Sequence, residues 1–226
     1  MRSYFRPILA GGTFPDRLLA CAGALVGIAL TSLVTALLVH PKGALLMIVA
    51  PMGASAVLVF AVPASPLAQP WPVVGGNVIS ALVGITVAKL VPDPAVAVGI
   101  AVAGAILAMS LTRSLHPPGG AAALTAVIGG PAVLSAGYGF ALVPVGLNAL
   151  ILAGVGIAFH RLSGHSYPHR PVPAAGHHPV PSPEPPHPED IDLALVDLGE
   201  TFDVSREDLD LLFRRVAFHA ARRRVR

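Results

Sequence analysis

Seven residues carry the polar and conformational chemistry of this chain: Gly53, Ser55, Asn77, His116, Gly119, Gly120 and Asn148. Each stands in or beside an apolar run. Two stretches hold most of them, Pro-Met-Gly-Ala-Ser-Ala from Pro51 and His-Pro-Pro-Gly-Gly from His116. Proline fixes φ and removes a backbone donor, and glycine lets other groups approach the chain closely. A break of this kind at membrane depth frees N–H and C=O groups that protein or a watery cavity must satisfy. A helix starting at Gly53 or Gly119 would aim its first N–H groups, with about half a positive charge, at the break. Two such ends, completed by Ser55, Asn77, His116 and Asn148, suit a small anion. His116 at the mouth of such a site would titrate near neutral pH. The same asparagines also suit interhelical hydrogen bonds, His116 a helix cap, and Arg113 a cytoplasmic anchor.

The elements that must position these residues are membrane helices. The chain has 226 residues, mean hydropathy +0.72 and only 12% charged residues, about half the soluble norm. From Met1 to Ser163 there are seven Lys/Arg and two acids, Asp16 and Asp93. The basic groups flank apolar segments, which is membrane anchoring rather than nucleic-acid binding. Leu18–Val39, Val74–Val91, Ala95–Leu111 and Gly139–Phe159 each approach the roughly 20 apolar residues that span a bilayer. The first is too long for a signal-peptide core and is expected to stay. Ala44–Val62 and Leu115–Ile128 are apolar but broken by Pro and Gly.

The two broken runs match. Pro51–Ala56 aligns with Pro118–Ala123 at an offset of 67 residues, and Asn77 with Asn148 at 71. A broken segment at matching places in two halves points to a transporter site. Three crossings per half would give inverted halves and six crossings; re-entrant broken runs would leave four. Charge does not choose. Either way five of the seven basic groups share one side, which places the N-terminus and tail in the cytoplasm. No acidic residue lies between Asp93 and Glu184, and that absence favours an anion or a neutral solute over a cation. No nucleophile–base pair, metal spacing or phosphate loop appears, so neither an enzyme nor a cofactor is expected. Cys21 is the single cysteine, so no intrachain disulfide forms.

After the membrane part, residues 163–188 contain nine prolines and five histidines. This is an extended spacer without ligand spacing for a metal. A short helix is expected about Ile191–Leu198. A longer one follows over residues 205–222, capped by Ser205 with Asp208, with Leu209, Leu212, Phe213, Val216 and Ala220 on one face.

The stretches PMGASAVLVF at Pro51–Phe60, SPLAQP at Ser65–Pro70, HPPGGAAAL at His116–Leu124 and Tyr167–Pro168 together resemble the HPP family of integral membrane proteins. The resemblance implies a membrane domain with four described helices and, through nitrite-transporter-like members, nitrite as solute. Longer members carry a CBS pair after a tail of this kind; this sequence does not contain one.

The expected protein is therefore an all-α polytopic membrane bundle with two broken segments in an internal repeat, plus a helical soluble tail. Its parts are an HPP-type transmembrane domain at 1–162, a Pro/His-rich linker at 163–188 and a cytoplasmic amphipathic tail at 189–226. Its expected function is transport or channelling of a small anion across the plasma membrane, with the lipid bilayer and a second copy of the chain as partners. The alternative is a non-transporting scaffold that binds partners through its C-terminal helix.

Overall fold

Prolines open five of the nine α-helices among the described residues. Pro51, Pro94, Pro117, Pro131 and Pro188 stand at the first helical position of their helices, where the missing N–H has no intrahelical partner to lose. The computed structural model describes residues 13–39, 48–169, 186–199, 202–204 and 206–224. The described elements are α1 Phe14–Val39, α2 Pro51–Ala61, α3 Asn77–Leu90, α4 Pro94–Leu111, α5 Pro117–Ile128, α6 Pro131–Ala136, α7 Leu147–Ser163, α8 Pro188–Leu198 and α9 Arg206–Arg224. Wide π-type turns, Pro72–Gly76 and Ala141–Gly146, lead into α3 and α7. Two compact units result, Leu18–His169 and the remainder.

Four helical stretches are long and apolar enough to cross a membrane: Phe14–Leu38, Pro72–Leu90, Pro94–Leu111 and Ala141–Ser163. They match the four unbroken runs of the sequence. The two broken runs form the short apolar helices α2 and α5, of 11 and 12 residues. At about 1.5 Å per residue, each covers roughly half of a bilayer core. Both start two residues earlier than Gly53 and Gly119, because proline is tolerated in a first turn that needs no donor.

The repeat is present in three dimensions. Each half consists of a long helix, a short helix opened by proline, then a π-turn feeding a helix with asparagine at its first or second position. The third helix is exchanged between the halves. α3 packs chiefly on α5 and α4 of the second half. Reciprocally, α7 packs on α2 and α1 of the first.

Pairwise contacts give the directions. A methyl placed on Gly76, Gly119 or Gly84 would strike His116, Ser80 and Ala123 respectively, so α3 and α5 run parallel. Val49 with Asn148 and Val59 with His160 make α2 parallel to α7. Thr35 meets Asn148 and Gly23 meets Phe159, so α1 opposes α7. Gly104 beside Val83 and Met109 beside Gly76 set α4 against α3. Val78 beside Gly146 and Thr86 beside Tyr138 make α3 antiparallel to the approach to α7. The six segments α1, α2, α3, α4, α5 and α7 therefore alternate in direction, and the halves are inverted relative to one another.

Small residues make this packing possible. Ala97, Ala101 and Ala105 of α4 and Ala122, Ala123 and Ala126 of α5 are buried. A Cβ on Gly84 would come within 2.5 Å of the Ala123 carbonyl oxygen. Without a hydrophobic drive between helices in lipid, such close backbone approach supplies much of the cohesion.

Between α2 and α3 the chain runs irregularly through residues 62–71. Ser65 Oγ accepts from the Leu67 N–H at 3.2 Å, and Gln69 Nε2 donates to the Pro63 and Ser65 carbonyls at 2.9 and 2.8 Å. The Tyr167 hydroxyl donates to the Ala68 carbonyl at 2.9 Å, and Gln69 Oε1 accepts from the His169 N–H at 2.8 Å. The SPLAQP and Tyr-Pro motifs thus latch one irregular stretch of backbone to the segment that follows α7.

In the second unit, α8 and α9 pair, with Arg206 on Asp192 (Nη2 to Oδ2, 2.7 Å). Helix α9 covers the expected 205–222 segment almost entirely. Ser205 and most of the Pro/His linker, residues 170–185, lie outside the described residues.

Candidate functional site

The first turn of α5 lies against the first turn of α3. His116 precedes α5 with φ −144° and ψ 108°, the extended conformation that a following proline imposes. Its ring is fully buried. His116 Nδ1 lies 2.8 Å from the Leu67 carbonyl oxygen. A carbonyl only accepts, so the ring proton sits on Nδ1 and Nε2 is an acceptor. Ser55 Oγ, from α2, lies 2.9 Å from Nε2 and must donate to it. Ser55 Oγ in turn accepts from Asn77 Nδ2 at 3.2 Å. The other Nδ2 hydrogen goes to the Val73 carbonyl at 2.8 Å, which fixes the amide orientation and turns Oδ1 away.

Ser55, Asn77 and His116 thus form one directed hydrogen-bond chain. All three are fully buried. Two polar atoms beside it lack a partner among the described residues, Asn77 Oδ1 and Ser80 Oγ. Buried orphans of this kind are rare in folded proteins and mark sites worth explaining. Sequence reasoning missed Ser80. Its signal is its spacing, one helical turn after Asn77 on the same face. A nucleophile–base contact, absent from the linear spacing, also exists here as Ser55 with His116, although a carbonyl rather than a carboxylate backs the histidine.

Gly119 belongs to this cluster as a packing position. A Cβ there would lie 2.7 Å from Ser80 Oγ, 2.8 Å from Met109 Sδ and 2.9 Å from the Gly76 carbonyl oxygen. Gly53 and Gly120, which occupy matching places in α2 and α5, have no atom within 4 Å of such a Cβ. The open side of each short helix is therefore at Gly53 and Gly120, and its tight side at Gly119.

Asn148 is in a different place. Its Oδ1 accepts from the Val49 N–H at 3.0 Å, ahead of α2, and its Nδ2 donates to Thr35 Oγ1 of α1 at 2.8 Å. The structure brings Ser55, Asn77, His116 and Gly119 together and places Asn148 at the equivalent position of the other half.

The first N–H groups of the short helices are engaged. Met52 and Gly53 donate to the Val49 and Ala50 carbonyls at 3.0 and 3.1 Å, and Gly119 to the His116 carbonyl at 2.8 Å. Prolines 51, 117 and 118 have none to offer. His116 is sealed within the protein rather than set at an opening. The cluster's available groups are therefore side chains, not helix-end amides. Among the described residues no group of three or more His, Cys, Asp or Glu could hold a metal.

A family model described as HPP, transmembrane region, matches residues 10–168. A transmembrane protein of Dictyostelium discoideum is 40% identical over 130 residues, covering 54% of this chain and 45% of that protein. A second transmembrane protein of the same organism is 44% identical over 103 residues, covering 44% of this chain and 33% of its own length. The chain thus spans less than half the length of these relatives. No solved structure matches it significantly.

Proposed function

This chain belongs to the HPP transmembrane family, and from that premise we propose that it carries a small anion such as nitrite across the membrane, as a transporter or channel. One observation carries the reading: a fully buried polar cluster lies where an exchanged helix of one inverted half meets the broken helix of the other. Inverted repeats with broken helices place solutes at such junctions. With the helix-end amides engaged, the anion is held by side chains: Ser80 Oγ, which has no partner among the described residues, and Ser55 and His116 once their mutual hydrogen bond opens; it reaches them along the open sides at Gly53 and Gly120.

The Arg161 end faces the cytoplasm of a plasma-membrane protein, and Lys89, at the far end of the antiparallel α3, faces outward. The linker and tail then lie in the cytoplasm, and 1–162 works as the transport unit. A second copy of the chain covers part of the apolar helix surface.

The test is anion flux by the purified full chain in liposomes, with nitrite, nitrate, formate and chloride offered in turn. Gly120→Val has room in the fold, so the variant should insert normally and lose flux. Normal flux in both Gly53→Val and Gly120→Val would remove the proposed path. Absence of flux for all four anions would leave the scaffold reading, with α9 as its binding element.

A further inference from the structure

We propose that His116 is a proton-binding site and that the anion crosses together with a proton, the two binding as a neutral pair. This inference rests on the transport reading and names its coupling ion.

In the directed chain every proton has a place. The Leu67 carbonyl holds the proton of Nδ1, and the Ser55 hydroxyl fills Nε2. A further proton added at Nε2 changes that atom from acceptor to donor. The Ser55 hydroxyl must then turn away, and it becomes a second free donor because Ser55 Oγ still accepts from Asn77. Ser80 Oγ, buried and unpartnered, supplies a third. One proton therefore converts a closed chain into a group of donors with a positive charge among them.

Among the described residues nothing balances that charge. The elements touching His116 are α2, the 62–76 stretch, the end of α4 and its following loop. Their only charged or titratable group besides His116 itself is Arg113, exposed and of the same sign. Lys89 closes the opposite end of α3. A buried charge without a partner is strongly disfavoured. An anion is the missing partner, and the imidazolium is in turn the only cation that the cluster offers the anion. Each ligand therefore promotes binding of the other, by equal factors.

The experiment uses the full chain in liposomes with a pH-sensitive dye inside. The probe is an inward gradient of nitrate, which does not leak as its free acid, with protein-free liposomes as the blank. Nitrate entry should acidify the lumen and should be unaffected when potassium and valinomycin clamp the potential. Raising external pH from about 5 to about 8 should weaken nitrate uptake on the order of tenfold. His116→Gln can keep hydrogen bonds to Leu67 and Ser55 but binds no proton; it should abolish the acidification and flatten the pH profile. Ser55→Ala serves as a second variant and should also reduce the pH dependence. Nitrate flux that builds a potential without acidification overturns the proposal while sparing transport. Unchanged acidification in folded His116→Gln overturns it too. Absence of flux for nitrate and for the other anions overturns both readings.

Discussion

Asn77 and Asn148 occupy matching places in the two halves, each beside the first turn of the opposite half's short helix, yet their surroundings differ. Asn148 is used at both ends, by a backbone N–H ahead of α2 and by Thr35 of α1. Asn77 uses its amide N–H groups only, on Ser55 Oγ and the Val73 carbonyl, leaving Oδ1 unpartnered among the described residues, as is Ser80 Oγ one helical turn on. One asparagine is a structural tie. The other belongs to a cluster with spare hydrogen-bonding capacity and a titratable ring. The scaffold occurs twice, and the spare hydrogen-bonding groups sit in one copy.

The largest effect should come from exchanging the asparagines' roles. Asn148→Leu strands the Val49 N–H and the Thr35 hydroxyl, at about 1–3 kcal/mol for each group. It should cut the yield and thermal stability of detergent-purified protein sharply. Asn77→Leu removes an existing orphan along with its bonds, so its stability loss should be smaller and its effect on anion flux larger. Equal melting losses in the two variants would break the contrast.

Two adjacent glycines sharpen the comparison within α5. Gly119→Ala forces a methyl against Ser80, Met109 and the Gly76 carbonyl and should cost about 1–3 kcal/mol by overpacking. Gly120→Ala has open space and should melt with the native protein. Thermal unfolding followed by size-exclusion chromatography separates the two. A destabilised Gly120→Ala with a normal Gly119→Ala would reverse the assignment of tight and open sides.

The smallest effect is a control on proton dependence. In the tail, Asp192 is held below the usual carboxylate range by its hydrogen bond to Arg206. A depressed pKa stabilises the fold above the unfolded value and is lost as pH falls through the folded one. Pairing of α8 and α9 should thus weaken only in acid, below the ordinary carboxylate range. Circular dichroism of a tail peptide against pH should show a loss of helix in that range that is absent in Asp192→Asn. Loss of helix near neutral pH instead would overturn the role given to the Asp192–Arg206 pair.

Much of the architecture is readable along the chain. The four spans follow from apolar length, and both short helices from Pro and Gly inside apolar runs. The repeat follows from two asparagines and two Pro-Gly stretches in register. α9 is legible from its periodic apolar face. The proline role was only half legible: the pair at Pro117 and Pro118 marks a helix boundary, but the helix begins on the prolines rather than after them. That choice depends on whether a first-turn donor is needed, and none is.

What the sequence determined by itself is the solvent of this protein and the order of its segments, because hydropathy and backbone breakers act locally. Tertiary structure alone decided which residues meet. Exchange of α3 and α7 between the halves brings Ser55, Asn77 and His116 into one chain of hydrogen bonds and sends Asn148 to Thr35 and Val49. It also turns the Gly119 face inward, leaving Gly53 and Gly120 open. Those outcomes depend on helix direction and rotation, set by close packing of alanine and glycine surfaces across segments far apart in sequence. A list of polar residues in apolar runs carries no record of that packing.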